Sequence, residues 1–287
     1  MQPIRVAYVR YLNTKPLVEG LRAVSGVEML AAAPSHIADM VRGGRADIGL
    51  ASVVDLVRDG EPLAAVPVGM IGCDGPTMTV RLYSSQPLDE VELFHADTES
   101  HTSVVLCRVL LQKMFGRLPG VIDFDARERM SSTGPEEWPE AMLIIGDKVV
   151  TDSPPAVRYP YQLDLGEAWK SLTGLPFVYA TWVCRAEEAG SPLVAHAAAL
   201  LDRQLRHNLT RLDWLLETRS GEHHWPADLA RRYVVDLLRY RLGDRERQGL
   251  ERFMAEAAGL GLLPGRAIRW ASWSGDRVRP CLPCKES

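Results

Sequence analysis

Short apolar runs alternate with helix-like segments from the start of the chain to about Val183, and this constrains the fold more than any other feature. Strand-like stretches fall at residues 4–9, 27–33, 47–51, 63–71, 77–84, 91–95, 121–124, 142–145 and 177–183. Helix-like stretches lie between them at 15–23, 36–42, 53–58, 103–115 and 166–172. Strands that alternate with helices predict parallel sheet in an α/β fold. So many strands exceed one small sheet, and residues 87–91 read as a connection. Two α/β lobes are expected.

From Ser191 the pattern changes. Leu193, Ala197, Leu200, Leu201, Leu205, Leu209, Leu212 and Leu216 follow the helical period, predicting one helix over 191–219. A second, with Pro226 in its first turn, is predicted to run to 242, and a third from 244 to 259 with Asp244 as its N-cap. Three successive helices would pack on one lobe as a cap. The tail from 266 to 287 carries Pro280 and Pro283 and is expected on the surface or partly disordered.

Composition narrows the class. Apolar residues make up 46% of the 287 residues and the net charge is -4, which excludes a disordered chain. No run of about 18 apolar residues occurs, so no membrane partner is expected. Basic residues between Arg203 and Arg252 are interleaved with Asp202, Asp213, Glu217, Asp236 and Glu246, which describes solvated helix faces rather than a nucleic-acid stripe. Cys73, Cys107, Cys184, Cys281 and Cys284 are odd in number and irregular in spacing, unlike a disulfide framework. Residues 1–9 run into a strand pattern without a leader-like apolar core, so a reducing cytoplasm is the expected location. Cys281 and Cys284 form a single pair without a second at zinc spacing, and no metal or other cofactor is expected. Nothing in the pattern sets an oligomeric state.

The chemistry gathers where strands end. The first strand runs into Tyr11, Leu12, Asn13 and Thr14, the third into Ser52, and the fifth into Tyr83, Ser84 and Ser85. The sixth leads to Asp97, Thr98, Glu99, Ser100, His101, Thr102 and Ser103. In open α/β sheets, ligands sit at the carboxyl ends of strands, where the next helix presents unpaired amides. Ser, Thr and Asn also cap helices in any protein, but the Thr98–Ser103 cluster holds more hydroxyls than one cap uses. Each hydrogen bond to a charged group is worth about 1.5–3 kcal/mol. Four sum to roughly 6–12 kcal/mol, against about 8 for micromolar binding. A small carboxylate can thus be held without a dedicated arginine.

These segments resemble chorismate dehydratases, the enzymes that open the futalosine route to menaquinone. The resemblance runs through Tyr11-Leu12-Asn13-Thr14-Lys15-Pro16-Leu17, through residues 46–55 (Ala51 stands where Pro is frequent), 79–84, 98–103, 143–147, 163–169 and 173–182. His101 stands where the family commonly has Arg. The resemblance implies a two-lobe fold similar to type II periplasmic binding proteins. The first lobe would comprise residues 1–86 and 178–287, including the C-terminal helices, and the second residues 87–177. It also implies a hydro-lyase that converts chorismate, a dicarboxylate, to 3-[(1-carboxyvinyl)oxy]benzoate and water. Alternatives are a related naphthoate synthase of the same pathway, a non-catalytic binding protein for a small carboxylate, or an effector-sensing module.

Under that reading Asn13 and Ser84 are the catalytic candidates. Ser52, Thr98, Ser100, Thr102, Ser103 and Asp147 are candidate substrate contacts. Donors aimed at the ring carboxylate strengthen as charge builds there, a role assigned to Ser84 and the Thr102–Ser103 helix start. Asn13 would orient the enolpyruvyl group or the departing hydroxyl, or else cap the helix that follows. Asp147 would contact ligand or fix the hinge. For the proton acceptor two options stand: a protein group among Asp97, Glu99, His101 and Asp147, or the enolpyruvyl carboxylate of the substrate. Tyr179 and Trp182 either line the cleft or, as is commoner for aromatics there, belong to the core; His223–His224 are read as a surface turn, and Asn208 as a helix residue rather than a glycosylation acceptor.

Overall fold

The computed structural model describes residues 3–97, 100–124 and 138–273. Two sheets organise it. The first is six-stranded, in the order β11-β4-β10-β3-β1-β2. It comprises β1 (Ile4–Tyr8), β2 (Val27–Ala31), β3 (Ile48–Ser52), β4 (Leu63–Cys73), β10 (Phe177–Arg185) and β11 (Leu238–Arg239). β1 pairs in parallel with β2 and β3, while β10 runs antiparallel to β3 and β4. The second sheet is five-stranded, in the order β7-β6-β8-β5-β9. Its strands are β5 (Val80–Ser84), β6 (Leu93–Asp97), β7 (Gly120–Phe124), β8 (Ala141–Ile145) and β9 (Tyr161–Asp164). β6 is parallel to β7 and β8, and β5 is antiparallel to β8 and β9.

The side-chain alternation of the strands explains why the first sheet is covered on both faces. Ile4, Val6 and Tyr8 of β1 join one apolar cluster with Trp182, while Ala7 and Val183 join the other. On one side sits helix α2 (Pro34–Arg42), which buries Ile37, Ala38 and Val41. On the other lie α1 (Lys15–Val18) and α6 (Pro192–Leu209). In the second lobe α3 (His101–Phe115) buries Leu106 and Leu110 against Leu82 and Leu143. Helix α4 (Lys148–Thr151) follows β8, and α5 (Leu165–Thr173) follows β9. One apolar cluster continues from lobe to lobe through Met70, Trp169, Phe177 and Phe253.

The chain crosses between sheets at 74–79 and again at 174–176. The first crossing corrects the expected boundary, because β5 belongs to the second sheet rather than to the lobe ending at residue 86. The reason is local. The Asp164 carboxylate accepts from the amides of Thr77 at 2.9 Å and Met78 at 2.7 Å, and from Gly166 at 3.0 Å and Glu167 at 3.2 Å. One acid thus caps α5 and pins the crossing, where Met78 adopts the left-handed φ of 70°. Gly166 permits this approach: a Cβ there would lie 2.1 Å from Thr77 Oγ1.

The C-terminal part departs from three plain helices. The first breaks into α6 and α7 (Leu212–Arg219). The second is short, α8 (Ala227–Arg231), and widens into a π-helical turn at Arg232–Leu237 before β11 adds to β4. Helix α9 (Asp244–Gly259) agrees with expectation, although Gly243 rather than Asp244 holds the N-cap position. Asn208 is buried and donates to the carbonyls of Pro16 and Glu19, so it ties α6 to α1. The stretch to residue 273 is also held, since Ala65 and residues 269–271 exchange backbone hydrogen bonds. Cys281 and Cys284 lie outside the described residues.

Candidate active site

A cavity of about 90 Å³, counted as room for the centres of water-sized groups, opens between the two sheets. By that measure it holds roughly six to nine waters, the bulk of one ring with a short arm. The carboxyl ends of β1 and β3 bring Asn13 and Ser52 to it from the first lobe. From the second lobe come Ser100, Thr102 and Ser103 at the start of α3, and Gly146 after β8. Gly146, at φ 72°, lets the chain turn beneath Tyr11, whose ring would lie 3.1 Å from a Cβ there. Among the described lining residues none is charged.

The two helices that start at the cavity wall differ from two others in the fold. Asp164 caps α5 and Ser191 caps α6 through side-chain oxygens. Helices α2 and α3 carry no side-chain cap. The N-cap residue Ser100 thus leaves the first amides of α3 uncapped, and the helix dipole adds to their preference for an anion, whereas α2 begins at Pro34, which has no N–H, and its His36 amide donates to the Ala33 carbonyl. Ser100 Oγ is buried without a hydrogen-bond partner, in a residue only 5% exposed. Thr102 Oγ1 donates to the Tyr179 carbonyl at 3.1 Å, which fixes the helix start against β10.

The sequence-predicted residues divide. Asn13, Ser52, Ser100, Thr102 and Ser103 are brought together, and Thr98 lies outside the described residues. Ser84 is not with them. Because β5 runs antiparallel to β8, Val80 pairs with Ile145 at the cavity while Ser84 pairs with Ala141 at the far end. That separation is about 13 Å at roughly 3.3 Å per residue. Ser84 Oγ instead donates to the Gln86 carbonyl at 2.7 Å. The carboxylate contact assigned to Ser84 is corrected accordingly: the rule that ligands meet carboxyl ends holds for the parallel strands and inverts for β5.

Other candidates sit beside the cavity without lining it. Asp147 starts α4 and pairs with His223 across the lobes, Nδ1 to Oδ2 at 3.2 Å. His223 is therefore partly buried in an inter-lobe contact rather than in a free surface turn. His101 Nδ1 lies 3.0 Å from Asp55 Oδ1, a second contact between lobes. Asp97 forms a buried pair with Lys148, Oδ2 to Nζ at 2.5 Å.

Four lining residues carry chemistry that strand ends alone do not assign: Thr77, Thr79, Tyr179 and Tyr233. The two threonines lie in the crossing just before β5, and the antiparallel direction of that strand places its amino end at the cavity. Thr77 Oγ1 lies 2.7 Å from Tyr179 Oη and 3.2 Å from Cys73 Sγ. Thr79 Oγ1 donates to Tyr233 Oη at 2.7 Å, and Asn13 Nδ2 donates to the same oxygen at 3.0 Å. Burial pushes the Cys73 thiol up to about 11, against the lowering pull of Thr77. Burial likewise raises the Tyr179 phenol well above its usual value and raises that of Tyr233. All three stay protonated at neutral pH and supply neither nucleophile nor base.

A family model for menaquinone biosynthesis matches residues 4–259. The chain belongs to this family. A chorismate dehydratase of Thermus thermophilus is 29% identical over 278 residues, covering 92% of this chain and 98% of that protein. Among solved structures, a protein of Archaeoglobus fulgidus superposes with a TM-score of 0.67 at 13% identity, covering 91% of this chain and 98% of that one. The alkanesulfonate-binding protein SsuA of Xanthomonas axonopodis pv. citri, bound to MOPS, gives 0.65 at 15% identity over 93% of this chain and 97% of that one. These likenesses establish the periplasmic-binding-protein fold, with its two sheets and C-terminal helices. No described helix of this family member is long and apolar enough to cross a membrane. Among its described residues no group of three or more His, Cys, Asp or Glu side chains could hold a metal ion.

Proposed function

We propose that this protein dehydrates chorismate to 3-[(1-carboxyvinyl)oxy]benzoate. The observation that carries the reading is the polarity of the cavity. A chamber of single-ring size, with no charged side chain among its described walls, faces the uncapped start of α3 and its Ser100 and Ser103 hydroxyls. Donors of that kind suit a carboxylate on which charge grows during reaction. The Thermus thermophilus chorismate dehydratase, alike over nearly its whole length, supports the same substrate.

The reaction breaks the C3–H and C4–O bonds and forms a C3–C4 π bond. The electron pair released at C3 spreads through the diene to the ring carboxylate, which the amides of α3 receive. It then expels the C4 hydroxide, which leaves with the C3 proton as water. The described lining offers no titratable base near neutrality, which favours the enolpyruvyl carboxylate of the substrate as the proton acceptor. The second-lobe wall holds the ring carboxylate, Ser52 and the start of α2 face it from the first lobe, and Asn13 orients a reacting group. The protein's contribution is position and preorganised dipoles.

Purified protein incubated with chorismate is expected to yield an aromatic product, seen by its absorbance and mass. Chorismate that binds and is recovered unchanged overturns the enzymatic reading in favour of a binding protein.

A further inference from the structure

The two ends of the Asn13 amide are in different circumstances. Its Nδ2 is used, donating to Tyr233 Oη at 3.0 Å. Its Oδ1 is buried and has no hydrogen-bond partner, although Asn13 lines the cavity. A buried carbonyl oxygen without a partner is costly, and a ligand that displaces water from beside it relieves that cost only by donating a hydrogen bond. Dianionic chorismate has one donor, the C4 hydroxyl; its carboxylates and ether oxygen accept only.

We infer that Tyr233 is a positioning residue for the dehydration: by accepting from Asn13 Nδ2, it turns the Asn13 carbonyl oxygen toward the substrate's C4 hydroxyl. This rests on the reading under Proposed function and assigns Asn13 to the departing group rather than to a carboxylate. Tyr233 is well placed for the task. Its ring is 1% exposed and stacks on Trp225, with centroids 4.9 Å apart and planes within 7°. It stands on the π-helical turn Arg232–Leu237, a local widening of a kind frequent at functional sites. Thr79 Oγ1, from the crossing into the second lobe, donates to the same phenol oxygen at 2.7 Å. With both donors in place, the Tyr233 lone pairs are engaged and the Asn13 orientation is set where the lobes meet.

One consequence separates this role from simple packing. Loss of water removes the only donor, so the aromatic product leaves Asn13 Oδ1 without a partner. Asn13, held by Tyr233, therefore favours substrate over product.

The test uses the full chain. Tyr233→Phe keeps the ring on Trp225 and removes only the hydroxyl, so its melting temperature should stay near that of the unmodified protein. Its kcat on chorismate should fall about tenfold or more, as expected when a reacting group loses orientation. Inhibition by 3-[(1-carboxyvinyl)oxy]benzoate, which has no donor, should change less than about twofold, since no contact that the product makes is removed. Adding Tyr233→Phe to Asn13→Ala should lower kcat little further, since both act through one amide. Unchanged turnover by Tyr233→Phe overturns the inference. So does an equal loss of affinity for substrate and product, which places Asn13 on a carboxylate. If Tyr233→Phe does not fold, Asn13→Ala reads the same split between substrate and product. If the unmodified protein leaves chorismate intact, the parent reading fails and this one with it. If it dehydrates chorismate and the split is absent, this inference alone fails.

Discussion

The two walls of the cavity differ in the polar groups they leave unpaired. On the first-lobe side, beside Ser52, Thr14 Oγ1 donates to the carbonyls of Val9 and Tyr11 at 2.8 Å each and Asn13 Nδ2 donates to Tyr233, while Asn13 Oδ1 is a buried acceptor without a partner. On the second-lobe side the start of α3 is uncapped and Ser100 Oγ is unpartnered, so that wall offers donors. A ligand with two carboxylates and a single hydroxyl is oriented by such a pair of walls. A cleft lined by donors alone would accept it either way round. On the proposed reading the second lobe supplies most of the anion affinity, and the Asn13 acceptor of the first fixes direction.

The largest expected effect falls on the support of the donor wall. Asp97, at the end of β6, is paired with Lys148 at 2.5 Å, and both side chains are at least 95% buried. Replacing Lys148 with Met leaves a buried carboxylate without its cation, which is worth about 3–5 kcal/mol of stability. The melting temperature should drop by roughly 6–20 °C. A calorimetric scan showing no change would place the strength of the second lobe elsewhere. Next comes the acceptor wall. Asn13→Ala should lower kcat/KM for chorismate by about 100- to 1000-fold, the range for losing one preorganised polar group at a reacting centre. Circular dichroism should show the fold intact, since Asn13 sits at the surface of the cavity rather than in the apolar clusters. Full activity in that variant would remove direction-setting from the first lobe.

Much of this division is legible in the amino-acid sequence. The strand–helix alternation announces two α/β lobes, and the hydroxyl cluster after β6 announces a donor-rich helix start. What stays hidden depends on strand direction and on distant pairing. Ser84 and Thr79 sit on the same stretch of chain, and only the antiparallel pairing of β5 with β8 puts Thr79 at the cavity and Ser84 at the opposite end. Periodicity carries no record of direction, so the carboxyl-end rule treats every strand alike. Tyr233 is hidden for another reason. Its Asn13 partner is 220 residues away, and the apolar spacing around it matches an ordinary helix, whereas the chain forms a π-helical turn there. Asp164 shows the same limit. An N-cap is recognisable locally, but its grip on the amides of Thr77 and Met78, which sets the lobe boundary, spans 87 and 86 residues.

A smaller effect should distinguish the walls by sign. Ser100→Ala deletes a buried hydroxyl that has no partner in the ligand-free protein. Its removal should raise the stability of the free protein by up to about 1 kcal/mol, since an unsatisfied buried group is relieved. Chorismate affinity should fall about tenfold, or 1.4 kcal/mol, for the lost contact to a carboxylate. Stability and affinity should therefore move in opposite directions. Chemical denaturation paired with calorimetric binding checks this, and a parallel loss in both would mean that Ser100 serves the fold of α3 rather than the ligand.

The smallest effect concerns acid, and it should begin in the first lobe. Burial raises the Asp47 carboxyl, but hydrogen bonds from the Arg5 side chain and amide outweigh it and hold the group below its usual value. Those bonds are short, with Arg5 Nη2 to Oδ1 at 2.6 Å and the Arg5 amide to Oδ2 at 2.8 Å, and they join β1 to the segment leading into β3. A carboxyl depressed on folding adds stability that is fully present above its unfolded value of about 4 and fades as pH falls through the lower folded value. Urea midpoints should therefore fall from about pH 4 downward in the unmodified protein, and Arg5→Met should flatten that acid limb while lowering stability at neutral pH. Hydrogen exchange under the same conditions should show β1 and β3 loosening while β6 and β8 stay protected. Equal loosening of both sheets would mean that the lobes share one acid-sensitive unit and that the apolar cluster running between them, through Met70, Trp169 and Phe177, couples their unfolding.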